Sequence, residues 1–242
     1  MPESSLAGQP FRLIRQTDHW VALLKPAGVS FHSESGPGLV VQAEQQLGMK
    51  LYPVHRLDKV TSGILLLATS SSAAAELSAL FATQRIEKYY LALSADKPKS
   101  KQGWVKGDMT PARRGAWKLL HSQHQPAVSY FISQGFAELP FRVFLIKPWT
   151  GKTHQIRVAL KSIGAAILGD ELYGSPAADR VYLHAYALCF VWRDQLIQLC
   201  CWPDSGVEFD RVQQHIETSW PKPWQLVWPE YCQPRTSTTD IN

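Results

Sequence analysis

The stretch "VHRLDKVTSGILLLATS", residues 54–70, sets the first constraint on this chain. Its second half, "GILLLA", has no polar side chain for either face of a strand. It must be covered on both sides, as in the middle of a sheet. Directly before it stand His55, Arg56, Asp58 and Lys59. A rigid buried strand behind a charged loop can hold a side chain accurately at a cleft. Asp58 therefore has two readings. It is a turn aspartate accepting backbone N–H bonds, or it is a reactive carboxylate delivered to a cleft. Residue type leaves both open.

The surrounding text alternates strands with a few helices. "FRLIRQ" and "WVALLKP" read as strands, the second stopped by Pro26 and Gly28. "GLVVQAEQQLG" reads as a helix closed by Gly48, and "SSSAAAELSALFATQ" as a helix capped by serine. "KYYLALS", "AVSYFIS", "FRVFLIKP", "VYLHAYALCFVW" and "LIQLCCW" supply further strands. "GKTHQIRVALKSIG" reads as a helix capped by Thr153, with a short helix later around "EFDRVQQHI". The expected fold class is α+β: a single domain with a mixed, mostly antiparallel central sheet, flanking helices and a central cleft. The expected boundaries are an N-terminal extension over 1–10, the domain over 11–219 and a loosely packed extension over 220–242.

Residues 97–118 stand apart, with seven basic side chains against the single acid Asp108. Broken by glycine and proline, the segment reads as an exposed basic loop or hairpin. Lys106, Arg113, Arg114 and Lys118 within it are candidate RNA contacts, and Trp104 and Trp117 could stack on splayed bases. A solvated charged face is the plainer alternative. The net charge of +5 suits a polyanionic partner. The N-terminal stretch lacks the apolar core of a signal peptide, and no apolar run is long enough to cross a bilayer. Cys189, Cys200, Cys201 and Cys232 form no CxxC pair. Reduced thiols, a cytoplasmic monomer and no metal site are the expectation.

Several stretches in one order resemble the RluA-type pseudouridine synthases. "HRLDKVTSGILLLA" is similar to that family's active-site motif, "LLKPAGVSFHS" to its N-terminal segment and "RIEKYYLALS" to its tyrosine motif. "TGKTHQIRVAL" is similar to its arginine motif, and "LGDELYG" and "LHAYAL" match two more stretches. The likeness runs from Lys25 to about Leu188. It departs at Leu24, where asparagine is usual, at Ala159, where histidine is, and at "VWRDQ", where His-Pro is. No S4-type RNA-binding domain is expected ahead of "LLKPAG".

The resemblance implies a cofactor-free isomerisation of uridine to pseudouridine in rRNA or tRNA. It makes Asp58 the essential carboxylate, Arg157 its charge partner and Tyr90 the phenol that packs on uracil and could help the C5 proton leave. Arg56 would fill the gap left by a flipped uridine, or pair with a phosphate or with Asp58. His55 and His154 are candidate RNA contacts or packing histidines. One rival is an RNA-binding member with little or no isomerase activity. Another is a glycosidase using Glu87 or Asp170 as a second carboxylate.

Overall fold

The computed structural model describes residues 11–31 and 36–232. The expected N-terminal extension, the "HS" of the Lys25 segment and the end of the tail lie outside the described residues. Twelve strands are present among the described residues: β1 Arg12–Gln16, β2 Trp20–Lys25, β3 Tyr52–Pro53, β4 Ser62–Ala68, β5 Glu87–Ser94, β6 Gln102–Gly107, β7 Met109–Pro111, β8 Trp117–Leu119, β9 Ala127–Gly135, β10 Arg142–Pro148, β11 Leu183–Trp192 and β12 Gln195–Cys200. The helices are α1 Leu39–Leu47, α2 Ser71–Ala82, α3 Gln155–Ser162 and α4 Val207–Ser219. Ten strands form one sheet in the order β1-β2-β4-β11-β5-β10-β9-β6, with β3 on β4 and β12 on β11. The β7–β8 pair stands alone. Every pairing in the large sheet is antiparallel except β4 with β11. The expected mixed, mostly antiparallel α+β fold is what forms.

The doubly apolar "GILLLA" strand is covered as its composition requires. Ile64 and Leu66 pack with Trp20, Leu24 and, from α2, Ala73 and Leu77. Leu65 and Leu67 face the other way, onto Val21, Leu23 and, from α1, Leu39 and Ala43. Alternation along the strand sends successive side chains to opposite cores. The helices stop where the sequence indicates. Gly48 closes α1 in the left-handed conformation, and the Ser70 hydroxyl accepts from the Ala73 N–H at the start of α2.

Three elements differ from expectation. The basic segment is not one inserted loop. Its first half is β6, an edge strand paired with β9, and its second half is the β7–β8 hairpin with Arg113 and Arg114 at the tip. Helix α3 begins one residue later than expected. His154, held at φ 57°, occupies the cap in place of Thr153, and its side chain makes no cap bond. Residues 220–232 do not hang loosely. Trp220 is buried, and Trp228 packs on Tyr89 and Tyr130 at 5.6 and 6.1 Å between ring centroids.

The one parallel contact is short: Ser62 and Gly63 lie beside His184 and Ala185. Gly63 has φ +122°, and a Cβ built there would sit 2.3 Å from the Ala185 carbonyl oxygen. Both the conformation and the approach require glycine. Gly63→Ala is expected to destabilise the fold by at least about 2 kcal/mol, read as a lower urea midpoint; an unchanged midpoint would show that the strands can part without cost.

Candidate active site

The loop ahead of β4 is fixed by alternate residues. Leu57 is buried in the α1-side core, and the ring of His55 accepts the Leu66 N–H at Nε2, 2.8 Å. Between and after these anchors, Arg56 and Asp58 line a cleft. The Asp58 carbonyl closes a turn by accepting the Thr61 N–H at 3.0 Å. Among the described residues, its carboxylate accepts no backbone N–H. The turn-aspartate reading is thus met by the main chain, and the side chain is left free.

A second segment holds this turn from behind. Lys25, at the end of β2, is fully buried and donates from Nζ to the carbonyls of Pro26, Lys59 and Thr61, at 2.8, 3.1 and 2.8 Å. The Gly28 N–H also donates to the Lys59 carbonyl, at 2.8 Å. Burial, helped by the Arg180 charge and opposed by Asp58, lowers the Lys25 amine to about 7. The sequence marked this segment only as a strand end and a matched motif; the role of Lys25 depends on carbonyls more than thirty positions away.

Opposite Asp58 stands Arg157, on the first turn of α3. Its Nη1 is 3.6 Å from Asp58 Oδ2. The rest of the guanidinium is committed elsewhere. Nε and Nη2 donate to the two oxygens of Asp170 at 2.7 and 2.9 Å, a planar two-bond fork with both groups buried. Burial works against the Arg157 charge, but the Asp170 bonds outweigh it, and the net shift is upward. The arginine is therefore a fixed cation aimed at Asp58. Asp170, read from sequence as a nominal second carboxylate, is its orienting partner, 1% exposed and with no room to activate water. Glu87, the other nominal carboxylate, is engaged by Tyr89 and Lys147. Neither carboxylate lines the Asp58 cleft.

Tyr90 lies in the same cleft, placed by register. The row across the sheet pairs Lys25 with Gly63, Gly63 with Ala185, Ala185 with Tyr90 and Tyr90 with Ile146. Burial first, and the Asp58 charge second, push the Tyr90 phenol upward, so it stays protonated near neutral pH. A neutral phenol suits stacking and hydrogen bonding; it is a poor acceptor for a proton.

The two histidines separate. Burial depresses His55 to about 3, and its Nε2 lone pair is occupied by the β4 backbone. Its neutral ring anchors the loop and stacks on Phe81, with centroids 4.4 Å apart. His154 reaches the site. Its Nε2 is 3.9 Å from Asp58 Oδ2, and its Nδ1 lies 2.9 Å from the Tyr173 hydroxyl. That hydroxyl accepts the Trp117 N–H at 3.0 Å, so its proton is free for Nδ1, leaving Nε2–H towards Asp58. Burial and then Arg157 lower the imidazole's pKa, consistent with a neutral ring.

Of the remaining candidates, Arg56 alone lines the cleft. Arg56 is exposed at its rim and makes no ion pair among the described residues. Arg113, Arg114 and Lys118 are exposed on the β7–β8 hairpin, whose Trp117 is tied to Tyr173. Lys106 is turned into an aromatic cluster, 4.3 Å above the Trp104 ring and 5.0 Å from Tyr231. Trp104 is itself packed on Tyr130 and Trp149. Among the described residues no three His, Cys, Asp or Glu side chains are grouped to hold a metal ion, and no helix is long and apolar enough to cross a membrane.

The sequence profile of RNA pseudouridylate synthase matches residues 19–162, more than half of the chain. The chain belongs to the RNA pseudouridylate synthase family. A relative from Haemophilus influenzae, described as an uncharacterized RNA pseudouridine synthase, is 46% identical over 84% of this chain and 95% of its own. The dual-specificity RNA pseudouridine synthase RluA of Escherichia coli K12 is 32% identical over 73% of this chain and 84% of its own. The ribosomal large subunit pseudouridine synthase C of Rickettsia bellii is 32% identical over 72% of this chain and 61% of its own. In fold, the chain is similar to human RNA pseudouridylate synthase domain containing 1, with a TM-score of 0.69 at 21% identity, covering 90% of this chain and 98% of that one. This pseudouridine synthase is an isomerase of uridine in RNA.

Two outcomes follow from the geometry. Asp170→Ala leaves the buried Arg157 without its fork and is expected to lower stability by about 3 kcal/mol. It should also reduce turnover of the folded fraction, because the guanidinium is no longer aimed; full turnover would refute the orienting role. The second concerns acid. His55 and the buried His184 are depressed from 6.5 to about 3 mainly by burial. Below pH 6.5 the unfolded chain binds protons that the folded one refuses. Their contribution is complete above 6.5 and is lost as pH falls towards 3. Urea midpoints should fall over that window, and His55→Gln should flatten the slope; identical slopes would exclude His55 as a source.

Proposed function

We propose that this synthase isomerises specific uridines in structured RNA, rRNA or tRNA, through Asp58 and without a cofactor. The observation that carries the reading is the Asp58 carboxylate itself: fixed from behind by Leu57, His55 and Lys25, bound by no backbone donor, and facing a guanidinium at 3.6 Å. Pseudouridine formation breaks the N1–C1′ bond, turns the uracil and rejoins it through C5. An ionised carboxylate can attack C1′ or stabilise the sugar fragment there. Arg157 sets a fixed positive charge 3.6 Å from that carboxylate.

Tyr90 forms the wall against which the uracil stacks, with its phenol neutral. The target must leave its stack, at a cost of a few kcal/mol. Arg56, exposed at the rim and uncommitted, can occupy the vacated space or hold a phosphate. The hairpin carrying Arg113, Arg114 and Lys118 adds charge beside the cleft for the RNA backbone, which supplies sequence-independent affinity. Among relatives, the name specifying the large ribosomal subunit favours rRNA.

Asp58→Asn keeps the side chain's shape and removes its charge. Release of tritium from uridine C5, assayed on RNA from cells lacking this gene, should fall at least about 10³-fold. RNA binding by filter retention should stay within a few-fold of wild type. Normal tritium release by the variant would refute the assignment, and tight RNA binding without release by the wild-type protein would favour the binding-only rival.

A further inference from the structure

Beside the Asp58 cleft, and sharing lining residues with it, lies a groove of about 490 Å³. One wall is the His55–Phe81 stack, with ring centroids 4.4 Å apart, and Trp149 also lines the groove. Trp149 is held in place: its N–H donates to the Val128 carbonyl at 2.9 Å, and its ring packs on Trp104 at 4.8 Å. Arg56, Lys88 and Lys152 line both this groove and the Asp58 cleft. No carboxylate lines the groove. Gln84 is at its edge, with a side-chain amide that has no hydrogen-bond partner among the described residues.

We propose that this groove is a second nucleotide subsite, taking the unpaired base adjacent in the RNA to the isomerised uridine. It rests on the reading of the Asp58 cleft as the uridine site. Aromatic walls stack on the face of any base. The phosphate linking two neighbouring nucleotides has to pass between the two spaces, where the three shared cations stand. The Gln84 amide can donate to and accept from a base edge, giving a preference among bases. Burial lowers the Lys88 amine to about 8. A phosphate beside it restores the charged form. A protein segment would bring no obligatory anion to that boundary.

The test uses the full chain and two dinucleotides, uridine joined to 2-aminopurine in each order, with uridine alone as the control. Stacking on the groove wall quenches 2-aminopurine fluorescence. One order is expected to bind more tightly than uridine and to be quenched. Trp149→Ala should weaken that binding roughly tenfold and remove most of the quenching, leaving uridine affinity unchanged. Trp149→Phe should retain both, which guards against a folding defect. Lys152→Ala, at an exposed residue lining both spaces, should weaken the dinucleotide more than it weakens uridine. The proposal fails if neither dinucleotide binds better than uridine, or if Trp149→Ala and Lys152→Ala bind both as wild type does. Asp58→Asn should bind the probes normally, so loss of turnover and loss of the second subsite are scored separately.

Discussion

The contact of Ser62 and Gly63 with His184 and Ala185 is the constraint on which the site depends. It is the one place where the β1-β2-β4 side of the sheet joins the side carrying Tyr90. Without a side chain at Gly63 the two backbones close, and the row from Lys25 through Gly63, Ala185 and Tyr90 becomes continuous. The turn bearing Asp58 leads directly into Ser62. Backbone pairing thereby sets the spacing between the end of the Asp58 turn and Tyr90, while Leu57, His55 and Lys25 hold the loop itself. The Ser62 hydroxyl reinforces the joint, 2.7 Å from His184 Nδ1, while His184 Nε2 is 2.8 Å from the Cys201 carbonyl oxygen.

Electrostatics complete what the sheet begins. Arg157 is buried, and a buried guanidinium with one distant partner would be unfavourable. Asp170 neutralises it through two bonds and leaves Nη1 over for Asp58. The tightly bound acid offsets the cost of burying the guanidinium, and Asp58 is held only loosely, at 3.6 Å. The same division appears around the turn. Lys25 engages its carbonyls, His55 ties its start to β4, and the carboxylate between them is bound by neither.

Much of this was legible in the sequence, for identifiable reasons. The two-faced strand could be read because apolar residues on both parities leave one arrangement. The helices α1 and α2 could be read from glycine and serine at their ends. Asp58, Tyr90 and Arg157 were found through motif likeness, and bare residue chemistry left each with a plainer alternative. What escaped was partnership at long range. Nothing local marks Asp170 as the partner of Arg157, because a bidentate fork is a matter of geometry. The basic count over 97–118 concealed that half the segment alternates as an edge strand. The charge of Lys106 is visible in sequence, and its position above Trp104 is not. The N-cap of α3 was misplaced because a left-handed histidine there overrides the usual preference for threonine.

His154 pays for that left-handed backbone with position. Its cap geometry turns the ring away from the helix, towards Asp58 on one side and Tyr173 on the other. Tyr173 in turn accepts from Trp117, at the start of the second strand of the basic hairpin. Hydrogen bonds therefore link the exposed cationic hairpin to His154, whose Nε2 stands 3.9 Å from the Asp58 carboxylate. Non-glycine residues at positive φ persist where their surroundings over-determine them and concentrate at functional sites. Here the surroundings are a helix start, a tyrosine hydroxyl and a buried guanidinium, and together they hold the ring with Nε2 3.9 Å from Asp58. A protonated ring at that point would add a second cation next to Arg157; keeping it neutral leaves the guanidinium as the dominant charge facing the carboxylate.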